Sequence, residues 1–565
     1  MSNEEPITEK AEIFVKSISF NDGTTLDFAK SDIVVFTGAN NAGKSQVLRE
    51  INQKFKGDNN VFKITKQIVL DIAGQIQPII KERTKLTPDG KYLYEIGNKS
   101  VTRSLLEWII LWERKFLSEL YVFFINFLNT EKRISSSNSP KSFDTITTNP
   151  QHPIQYLYVD DEKEKELSEY FHQAFGINLI VDRGAGNNIP LFVGDKPEIQ
   201  QGEDRVSKSY RERLTRLPKL QEQGDGIRSF TGILLDTFIS NHTVTLIDEP
   251  EAFLHPPQSR LLGKMLAKNT PNNRQLFIST HSEDFLKGLL DADNENVKII
   301  RINREGNTNH MNMLKNEDIK QLWKDPILRY SNILSGLFHS KVVICESDTD
   351  CRFYQSVMNA IHDGENEISP DILFTHCGGK QRLKTVIVAL KSLNVKIVTI
   401  ADIDILNDKN TFKEITDSLG INWTELESKW NVIDNYVKDQ RLQLDTNEVK
   451  KEIGQILNSV SINPFPQENI NKIKKILKNS TAWSKIKEVG KKFFTGEPYT
   501  TFNEIDTICK KNGLFIVPVG ELECFYKPNT NHGPKWVNEV LERVDLKNNP
   551  ELRDAREFIK NIISF

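Results

Sequence analysis

Short apolar runs alternate with amphipathic stretches along most of the 565-residue chain. The runs "DIVVF", "TVTLI" and "LFIS" in the first half, and "KVVIC", "KIVTI" and "GLFIVPVG" in the second, predict buried β-strands. Several are followed by stretches such as "KSQVLREINQKF", in which apolar residues recur as on one face of a helix. Strand and helix alternating in this way is typical of α/β domains with parallel sheets.

The same pattern divides the chain into two predicted domains, residues 1–335 and 336–565. A lysine-rich, helical pattern at about residues 425–495 predicts a helical insertion in the second domain. The most apolar run, "LLEWIILWERKFLSELYVFFINFL", carries five charged residues. It therefore predicts a buried helix followed by a strand, and no membrane association is expected.

The composition argues against several classes of protein but does not identify the function. Charged residues make up 27% of the chain but the net charge is only −3, which argues against a globally basic nucleic-acid binder and leaves room for a local basic face. The acidic, polar start "MSNEEPITEK" is unlike a signal peptide, and the five cysteines show neither CxxC pairing nor zinc-ligand spacing. We therefore expect a cytoplasmic protein with reduced thiols.

A phosphate-loop pattern, GxxxxGK[ST], is matched without a gap by "GANNAGKS" between a predicted strand and a predicted helix. Glycines at these positions let backbone N–H groups surround phosphate oxygens, while the lysine reaches the β- and γ-phosphates and the serine hydroxyl binds Mg²⁺. The predicted nucleotide-binding residues are Gly38, Asn40, Asn41, Ala42, Gly43, Lys44 and Ser45.

A second part of the predicted nucleotide site is "TVTLIDEPEAFLHP", where Asp248 and Glu249 end a strand. One carboxylate can bind the Mg²⁺ that accompanies ATP, and the next can polarise the attacking water. The following strand, "LFIS", leads to His281, which is placed to sense the γ-phosphate.

These motifs together resemble the ABC-type ATPase head. The resemblance implies that Asp248 is the Walker B aspartate, Glu249 the catalytic base and His281 the switch histidine, and that the heads dimerise. The family's signature motif, usually LSGGQ, corresponds here to "QGDGIRSF". This difference is expected to affect ATP hydrolysis more than ATP binding. We expect the helix N-terminus after its two glycines to face a γ-phosphate. Gln67 and Gln75 are the candidates for a Q-loop glutamine.

Carboxylates follow two of the strands predicted for the second domain. Glu346 ends "KVVICE", and Asp402 and Asp404 end "VKIVTIADID". Because the carboxyl ends of parallel strands meet at one edge of a sheet, we expect these groups to converge, which is costly unless cations neutralise them. All their donor atoms are oxygen, so Mg²⁺ or Mn²⁺ is the expected metal, and two such ions can hold the attacking and leaving oxygens of a phosphodiester.

This arrangement resembles the TOPRIM domain, whose motifs are an EGxxD after the first strand and a DxD after the third. Glu346 and Asp350 match the first motif, with Ser347 in place of the glycine, and Asp402 and Asp404 match the second. We expect Ser347 to be tolerated if its φ is not positive.

An ABC-type head fused to a TOPRIM domain resembles the OLD (overcoming lysogenization defect) family of ATP-dependent nucleases. That resemblance implies a later metal-binding glutamate, Glu523 or alternatively Glu521. It also implies a lysine that stabilises the transition state, Lys535 or alternatively Lys527. The expected fold class is α/β, with an ABC-type P-loop ATPase domain followed by a TOPRIM parallel-sheet domain with a helical insertion.

The resemblance implies an ATP-binding and ATP-hydrolysing, metal-dependent DNA endonuclease or nickase of the kind found among bacterial anti-phage effectors. Its implied partners are DNA, further copies of the chain joined through the ATPase heads, and a defence-system partner such as a protein or a retron RNA–DNA. One alternative is an ATPase-gated binding or signalling module whose TOPRIM-like domain holds a partner without cutting. Another is topoisomerase-like strand passage, which needs a tyrosine nucleophile that nothing in the sequence singles out.

Overall fold

The computed structural model describes residues 9–58, 62–96, 99–314, 332–364, 368–440, 446–478, 482–529 and 531–565. Residue contacts divide the chain into two compact units, Met1–Lys324 and Asp325–Phe565. The division predicted from the sequence, between residues 335 and 336, lies slightly later in the chain.

The first unit contains fourteen strands and eleven α-helices among the residues described. Its strands are β1 (Glu12–Phe20), β2 (Thr25–Asp27), β3 (Ile33–Thr37), β4 (Thr65–Ala73), β5 (Lys85–Leu86), β6 (Tyr92–Ile96), β7 (Lys99–Arg103), β8 (Ile125–Leu128), β9 (Asn178–Val181), β10 (Leu191–Gly194), β11 (Val244–Asp248), β12 (Gln275–Ser279), β13 (Val297–Glu305) and β14 (Thr308–Met313). Its helices are α1 (Lys44–Phe55), α2 (Gln77–Arg83), α3 (Leu105–Glu113), α4 (Leu117–Leu120), α5 (Thr130–Ser135), α6 (Pro153–Val159), α7 (Asp161–Phe175), α8 (Lys208–Leu214), α9 (Asp225–Leu234), α10 (Pro256–Asn269) and α11 (Glu283–Asp291).

The main sheet of this unit has six strands in the order β14-β13-β3-β12-β11-β8, and every neighbouring pair is parallel except β13 and β14. Strands β3 and β12 are buried at every residue, which explains why they appear in the sequence as continuous apolar runs. The register pairs Val35 with Ile278, and Ile278 with Ile247. The carboxyl ends of β3, β11 and β12 are therefore level with one another at one edge of the sheet.

A smaller antiparallel sheet, in the order β2-β1-β4, packs with the main sheet and helix α1 into one core. The predicted apolar face of α1 is fully buried there, at Val47, Leu48, Ile51 and Phe55. This burial fixes the helix that carries the phosphate loop against both sheets. Two further small sheets, β5-β6-β7 and β9-β10, complete the strands of the unit.

Helix α3 and strand β8 occupy the most apolar run, as predicted, but the expected burial of the helix is wrong. Trp108 and Trp112 face the core, whereas Leu106 is 65% exposed and Ile110 is 38% exposed. The run is apolar on every side of the helix, so its periodicity carried no information about which side faces solvent. No helix in the described part of the chain is both long enough and apolar enough to cross a bilayer.

The second unit is built on a four-stranded parallel sheet in the order β16-β15-β17-β18. Its strands are β15 (Lys341–Cys345), β16 (Ile372–His376), β17 (Ile397–Ala401) and β18 (Leu514–Ile516). Its described helices are α12 (Asp348–Ile361), α13 (Leu383–Ser392), α14 (Lys409–Leu419), α15 (Trp423–Asp439), α16 (Thr446–Asn458), α17 (Gln467–Lys478), α18 (Ala482–Val489), α19 (Glu497–Lys511), α20 (Pro534–Arg543) and α21 (Arg553–Ser564).

Strands β15, β17 and β18 correspond to apolar runs from which strands were predicted, and the predicted helical insertion lies between β17 and β18. The helices in this interval extend from α14 to α19, which is wider than the predicted residues 425–495. Cys345 is level with His376, and Ala401 with Ile516, so the residues that follow β15, β17 and β18 meet at one edge.

Candidate functional site

The phosphate loop joins the end of β3 to the first residue of α1. Gly38 has φ 139°, and a Cβ there would collide with the carbonyl of Ile302, so only glycine fits. The Lys44 Nζ donates to the carbonyl oxygens of Gly38 and Ala39, at 2.8 Å each. The loop thus curls around its own ammonium group, which can exchange these carbonyls for nucleotide phosphates.

A cavity of 360 Å³ opens beside this loop. Loop and helix residues Asn41, Gly43, Lys44 and Ser45 line it together with His281. Three further cations, which no sequence motif indicated, line it as well: Arg49, Lys63 and Arg304. The cavity is of the size of small-molecule sites and is rich in positive charge, as a site for a triphosphate requires.

The carboxylates at the end of β11, Asp248 and Glu249, lie near the phosphate loop. The Ser279 hydroxyl donates to Asp248, which holds that carboxylate in place. The His281 Nε2 is 3.3 Å from Glu249 Oε1. Burial, together with the charge of Lys44, lowers the pKa of His281, so the imidazole is neutral at pH 7. Half-exposed Glu249 therefore lies beside a neutral histidine at the end of β11.

Arg133 is a buried cation that sequence analysis missed. It is fully buried and donates to the backbone carbonyl of Asp248, to that of Leu128 at 3.2 Å, and to the Ser229 hydroxyl at 3.0 Å. These bonds connect the end of β11 to helix α9. Nothing in the local sequence of Arg133 indicates this role, because two of its partners, Ser229 and Asp248, lie about a hundred residues away in the chain.

Helix α9 carries the signature-like segment and begins at Asp225, one residue before the second glycine. We had predicted that the helix begins after both glycines. It begins between them instead. A Cβ on Gly226 would lie 2.6 Å from the Phe253 carbonyl, which explains the glycine by close packing. Gln67 and Gln75, the candidates for a Q-loop glutamine, are exposed and are not among the residues that line the cavity beside the phosphate loop.

In the second unit, Glu346 and Asp402 follow neighbouring parallel strands and lie in contact. The Glu346 Oε1 accepts a hydrogen bond from the Asp402 backbone N at 3.2 Å. Burial raises the pKa of Glu346 to about 7, and the charges of Asp404 and Asp350 add to this effect. Burial and the Glu346 charge raise the pKa of Asp402 well above its usual value. The predicted convergence of these carboxyl groups is present.

Asp350 lies beside them because it belongs to the capping box of helix α12. The Ser347 backbone N donates to Asp350 Oδ2 at 2.9 Å, and the Ser347 side chain accepts from the Asp350 backbone N. Ser347 has φ −133°, so the position does not require the usual glycine. Burial raises the pKa of Asp350, and the charge of Glu523 contributes, which places Glu523 near this carboxylate.

Two lysines contact the remaining aspartate of the cluster. The Asp404 Oδ2 lies 3.4 Å from Lys380 Nζ and 3.4 Å from Lys487 Nζ. Lys487 also reaches Glu521, with 3.2 Å between Nζ and Oε2. Lys487 is on helix α18 of the insertion, far from the motifs in sequence, and was not predicted.

Beside Glu521, three side chains could together bind a metal ion. The ligand atoms of Glu521, Glu523 and His532 lie within 4.8 Å of one another. Glu523 Oε1 also accepts from the Gly533 backbone N at 2.7 Å. The carboxylate oxygens fit a hard divalent cation, and the imidazole, which sequence analysis missed, makes Mn²⁺ a better fit than Mg²⁺ at this position.

Comparisons with known proteins agree with this division into two sites. A family model described as an AAA domain, putative AbiEii toxin, type IV toxin–antitoxin system, matches residues 33–286. A second, described as the TOPRIM domain of overcoming lysogenization defect protein-like chains, matches residues 337–404. The Old nuclease of Escherichia phage P2 is 23% identical over 293 residues, which are 51% of this chain and 44% of that protein. The chain therefore joins an AAA-type ATPase domain to an OLD-like TOPRIM domain and is similar to the Old nuclease.

Other similar proteins match smaller parts of the chain or are less similar to it in sequence. The uncharacterized protein MJECL11 of Methanocaldococcus jannaschii is 33% identical over 103 residues, which are 18% of this chain and 90% of that protein. An SMC head bound to the C-terminal winged-helix domain of ScpA is 13% identical and covers 56% of this chain and 100% of its own, with a TM-score of 0.32. The SMC head domain from Thermotoga maritima is 10% identical, covers 54% and 100%, and has a TM-score of 0.26.

The lysine implied by the resemblance to the OLD family makes no contact with the carboxylates among the described residues. Lys535 is exposed on the first turn of α20, and within the described residues it has no carboxylate within 4 Å. The alternative, Lys527, donates to the Glu488 carbonyl at 3.2 Å. Lys380 and Lys487 are instead the cations that contact the cluster.

Proposed function

We propose that this chain binds and hydrolyses ATP in its first unit and cuts DNA with the help of Mg²⁺ or Mn²⁺ in its second. The main support is the contact between Glu346 and Asp402, two partly buried carboxyl groups at the carboxyl ends of parallel strands. Such groups ionise together only if cations neutralise them. When bound, two divalent ions supply a clamp on the attacking and leaving oxygens of a phosphodiester.

The residues of the second unit have distinct proposed roles. Glu346, Asp402 and Asp404 bind one metal ion, and Asp350 and Glu523 bind another. Glu521 and His532 complete the second position. Lys380 and Lys487 orient Asp404. Lys535 keeps its proposed role of stabilising charge on the phosphate in the transition state, which requires the substrate to reach the first turn of α20.

In the first unit, Lys44 and the phosphate loop bind the triphosphate, while Ser45 and Asp248 bind the Mg²⁺ that accompanies it. Glu249, oriented by His281, accepts a proton from the attacking water. The heads act as a homodimer or a larger homo-oligomer, since an ABC-type head requires a second copy to complete its site. The protein works in the cytoplasm.

The biological role that we propose is defence against phage, with DNA as the target. The support is the likeness to a phage-encoded Old nuclease and to a family model that names a toxin–antitoxin system. A partner from the same defence system, either a protein or a retron RNA–DNA, would supply the trigger.

Incubation with supercoiled plasmid tests the proposed nuclease directly. Purified protein is incubated with Mg²⁺ or Mn²⁺, with and without ATP, beside the variants Asp402→Ala and Asp417→Ala. Asp417 is exposed on α14 and serves as a matched control. We expect nicking or linearisation by the wild type and by Asp417→Ala, and at least about a 100-fold loss in Asp402→Ala. Cutting that persists in Asp402→Ala would refute the assignment.

A binding or signalling module is the second candidate, and one observation favours it. Lys380 and Lys487 already supply positive charge to Asp404, so part of the cluster is neutralised without a metal. In that case isothermal titration calorimetry would detect Mn²⁺ binding that Asp402→Ala abolishes, while no plasmid or oligonucleotide would be cut under any condition.

A further inference from the structure

A second cavity of the first unit lies at the opposite edge of the six-stranded sheet from the phosphate loop. It has a volume of 220 Å³ and is lined by residues that directly precede strands, among them Phe124 before β8, Thr243 before β11 and Arg274 before β12. The phosphate loop follows the carboxyl end of β3, whereas these residues lie at the amino ends of parallel strands. The cavity is therefore separate from the nucleotide site.

Two arginines line this cavity, and the hydrogen bonds described for them end on backbone carbonyls. Arg83 donates to Phe123, at 2.5 Å, and to Asn241. Arg274 donates to Thr237. Among the described residues, neither guanidinium has a carboxylate within 4 Å. Arginines taken out of water are normally paired with a carboxylate or another anion, so this pair is incompletely neutralised.

Each of the two carboxylates that line the cavity is already paired with a lysine, although Glu82 also favours the charged form of Arg83. Glu82 lies 2.6 Å from Lys10 Nζ, and Glu12 lies 2.7 Å from Lys30 Nζ. Each such pair contributes no net charge, so the two guanidiniums leave the cavity with a positive charge of about two.

The neighbouring groups show the effect of this charge. Burial and the charge of Arg83 lower the pKa of Arg274 to about 10. Burial and the charges of Arg83 and Arg274 lower the pKa of His242, which also lines the cavity, to about 3. His242 is therefore neutral at pH 7. The two arginines repel each other across a small, partly buried space.

We propose that this cavity is an anion site that binds a phosphate group between Arg83 and Arg274. Guanidinium forks match the geometry of phosphate oxygens and bind them through paired, charge-assisted hydrogen bonds. The Asn241 and Asn273 residues in the wall offer further polar contacts. The cavity is large enough for a phosphate group, which can come either from a small molecule or from the backbone of DNA. This site is independent of the proposed ATPase and nuclease activities.

Inorganic phosphate is the probe, and the Lys44→Ala variant is the starting protein, because the phosphate loop would otherwise bind the same ion. Isothermal titration calorimetry at constant ionic strength compares Lys44→Ala with the double variants that add Arg274→Gln, Arg83→Gln or Arg216→Gln. Arg216 is exposed and lies outside the cavity, so it is the matched control. We expect either cavity substitution to weaken phosphate binding by about tenfold or more, and the control to leave it unchanged.

Two further measurements separate the outcomes. Thermal denaturation with and without phosphate checks that the variants fold, and the phosphate-induced rise in Tm should be absent from both cavity variants. Competition with a short DNA duplex then identifies where the bound phosphate group comes from. If the duplex displaces inorganic phosphate, and this displacement is lost in the Arg274→Gln variant, the site binds a phosphate of the DNA backbone. If the duplex displaces no phosphate, the site binds a small molecule. The proposal is refuted if Lys44→Ala binds no phosphate, or if folded Arg274→Gln and Arg83→Gln variants bind it as well as the control does.

Discussion

Lys44 is the residue on which nucleotide binding is expected to depend most. Its ammonium group lies inside the phosphate loop, hydrogen-bonded to two carbonyls of that loop. We expect Lys44→Ala to weaken ATP binding by about 100-fold or more, because the positive charge that faces the β- and γ-phosphates is lost. Isothermal titration calorimetry measures the affinity.

Lys56 provides the control for this substitution, because it follows the other end of α1 and is exposed. Lys56→Ala should bind ATP like the wild type. Circular dichroism should show that both variants are folded. Undiminished affinity in Lys44→Ala would contradict the assignment of the cavity as the nucleotide site.

Glu346 is expected to make the stability of the metal-free protein depend on pH. Its pKa is about 7 in the folded state and about 4.5 when unfolded, so the folded state retains a proton that the unfolded state has released. This retained proton stabilises the fold fully below about pH 4.5, and the stabilisation is lost as the pH rises through 7. At most about 3 kcal/mol of unfolding free energy is involved, since solvent screens part of the effect.

Urea denaturation in EDTA at pH 5 and pH 8 measures this dependence. We expect the wild type to lose stability between the two values, and Glu346→Gln, which cannot ionise, to lose less. Added Mn²⁺ should restore stability at pH 8 in the wild type, because the bound cation favours the ionised carboxylates. Equal pH profiles for the two proteins would show that Glu346 does not titrate in this range.

At the scale of elements, helix α18 of the insertion brings a cation into a site whose motifs lie on the sheet. Lys487 contacts both Asp404 and Glu521, so it occupies space between the two proposed metal positions. We expect Lys487→Met to lower the Tm of the metal-free protein, because the carboxylates lose their counter-charge. The same change should tighten Mn²⁺ binding several-fold, because the lysine no longer competes with the cation.

Differential scanning fluorimetry and calorimetric Mn²⁺ titration measure both effects, with Lys485→Met as the control. Lys485 is exposed on the same helix. A variant that binds Mn²⁺ more weakly than the wild type would show that Lys487 supports the metal site instead of competing with it.

Sequence patterns predicted elements best where burial dictates composition. Strands β3, β15 and β17 are buried at every residue, so each appears in the sequence as a mostly apolar run, and a candidate site residue follows it. An apolar run did not predict the burial of α3 in the same way, because its apolar residues lie on every side of the helix and some of them are exposed. Lys487 and His532 could not be predicted, since their place in the site depends on long-range packing and not on local spacing.

For the whole molecule, the two proposed sites lie in separate compact units, each with its own core. We therefore expect Asp402→Ala to hydrolyse ATP at a rate within about twofold of the wild type, because substitutions without shared contacts act independently. A phosphate-release assay on this variant and on Asp417→Ala measures the rate. Loss of hydrolysis in Asp402→Ala, with the fold intact, would reveal coupling between the units.

The order of strands in the second unit also has a consequence for how the protein is made. β18 lies beside β17, although residues 402–513 separate them in the chain. Pairing across so long a segment closes a large loop and is intrinsically slow. Glu521 and Glu523 follow β18, so they join the other carboxylates last, whereas the first unit has by then left the ribosome. A newly synthesised chain should therefore acquire its nucleotide cavity before its proposed nuclease centre exists.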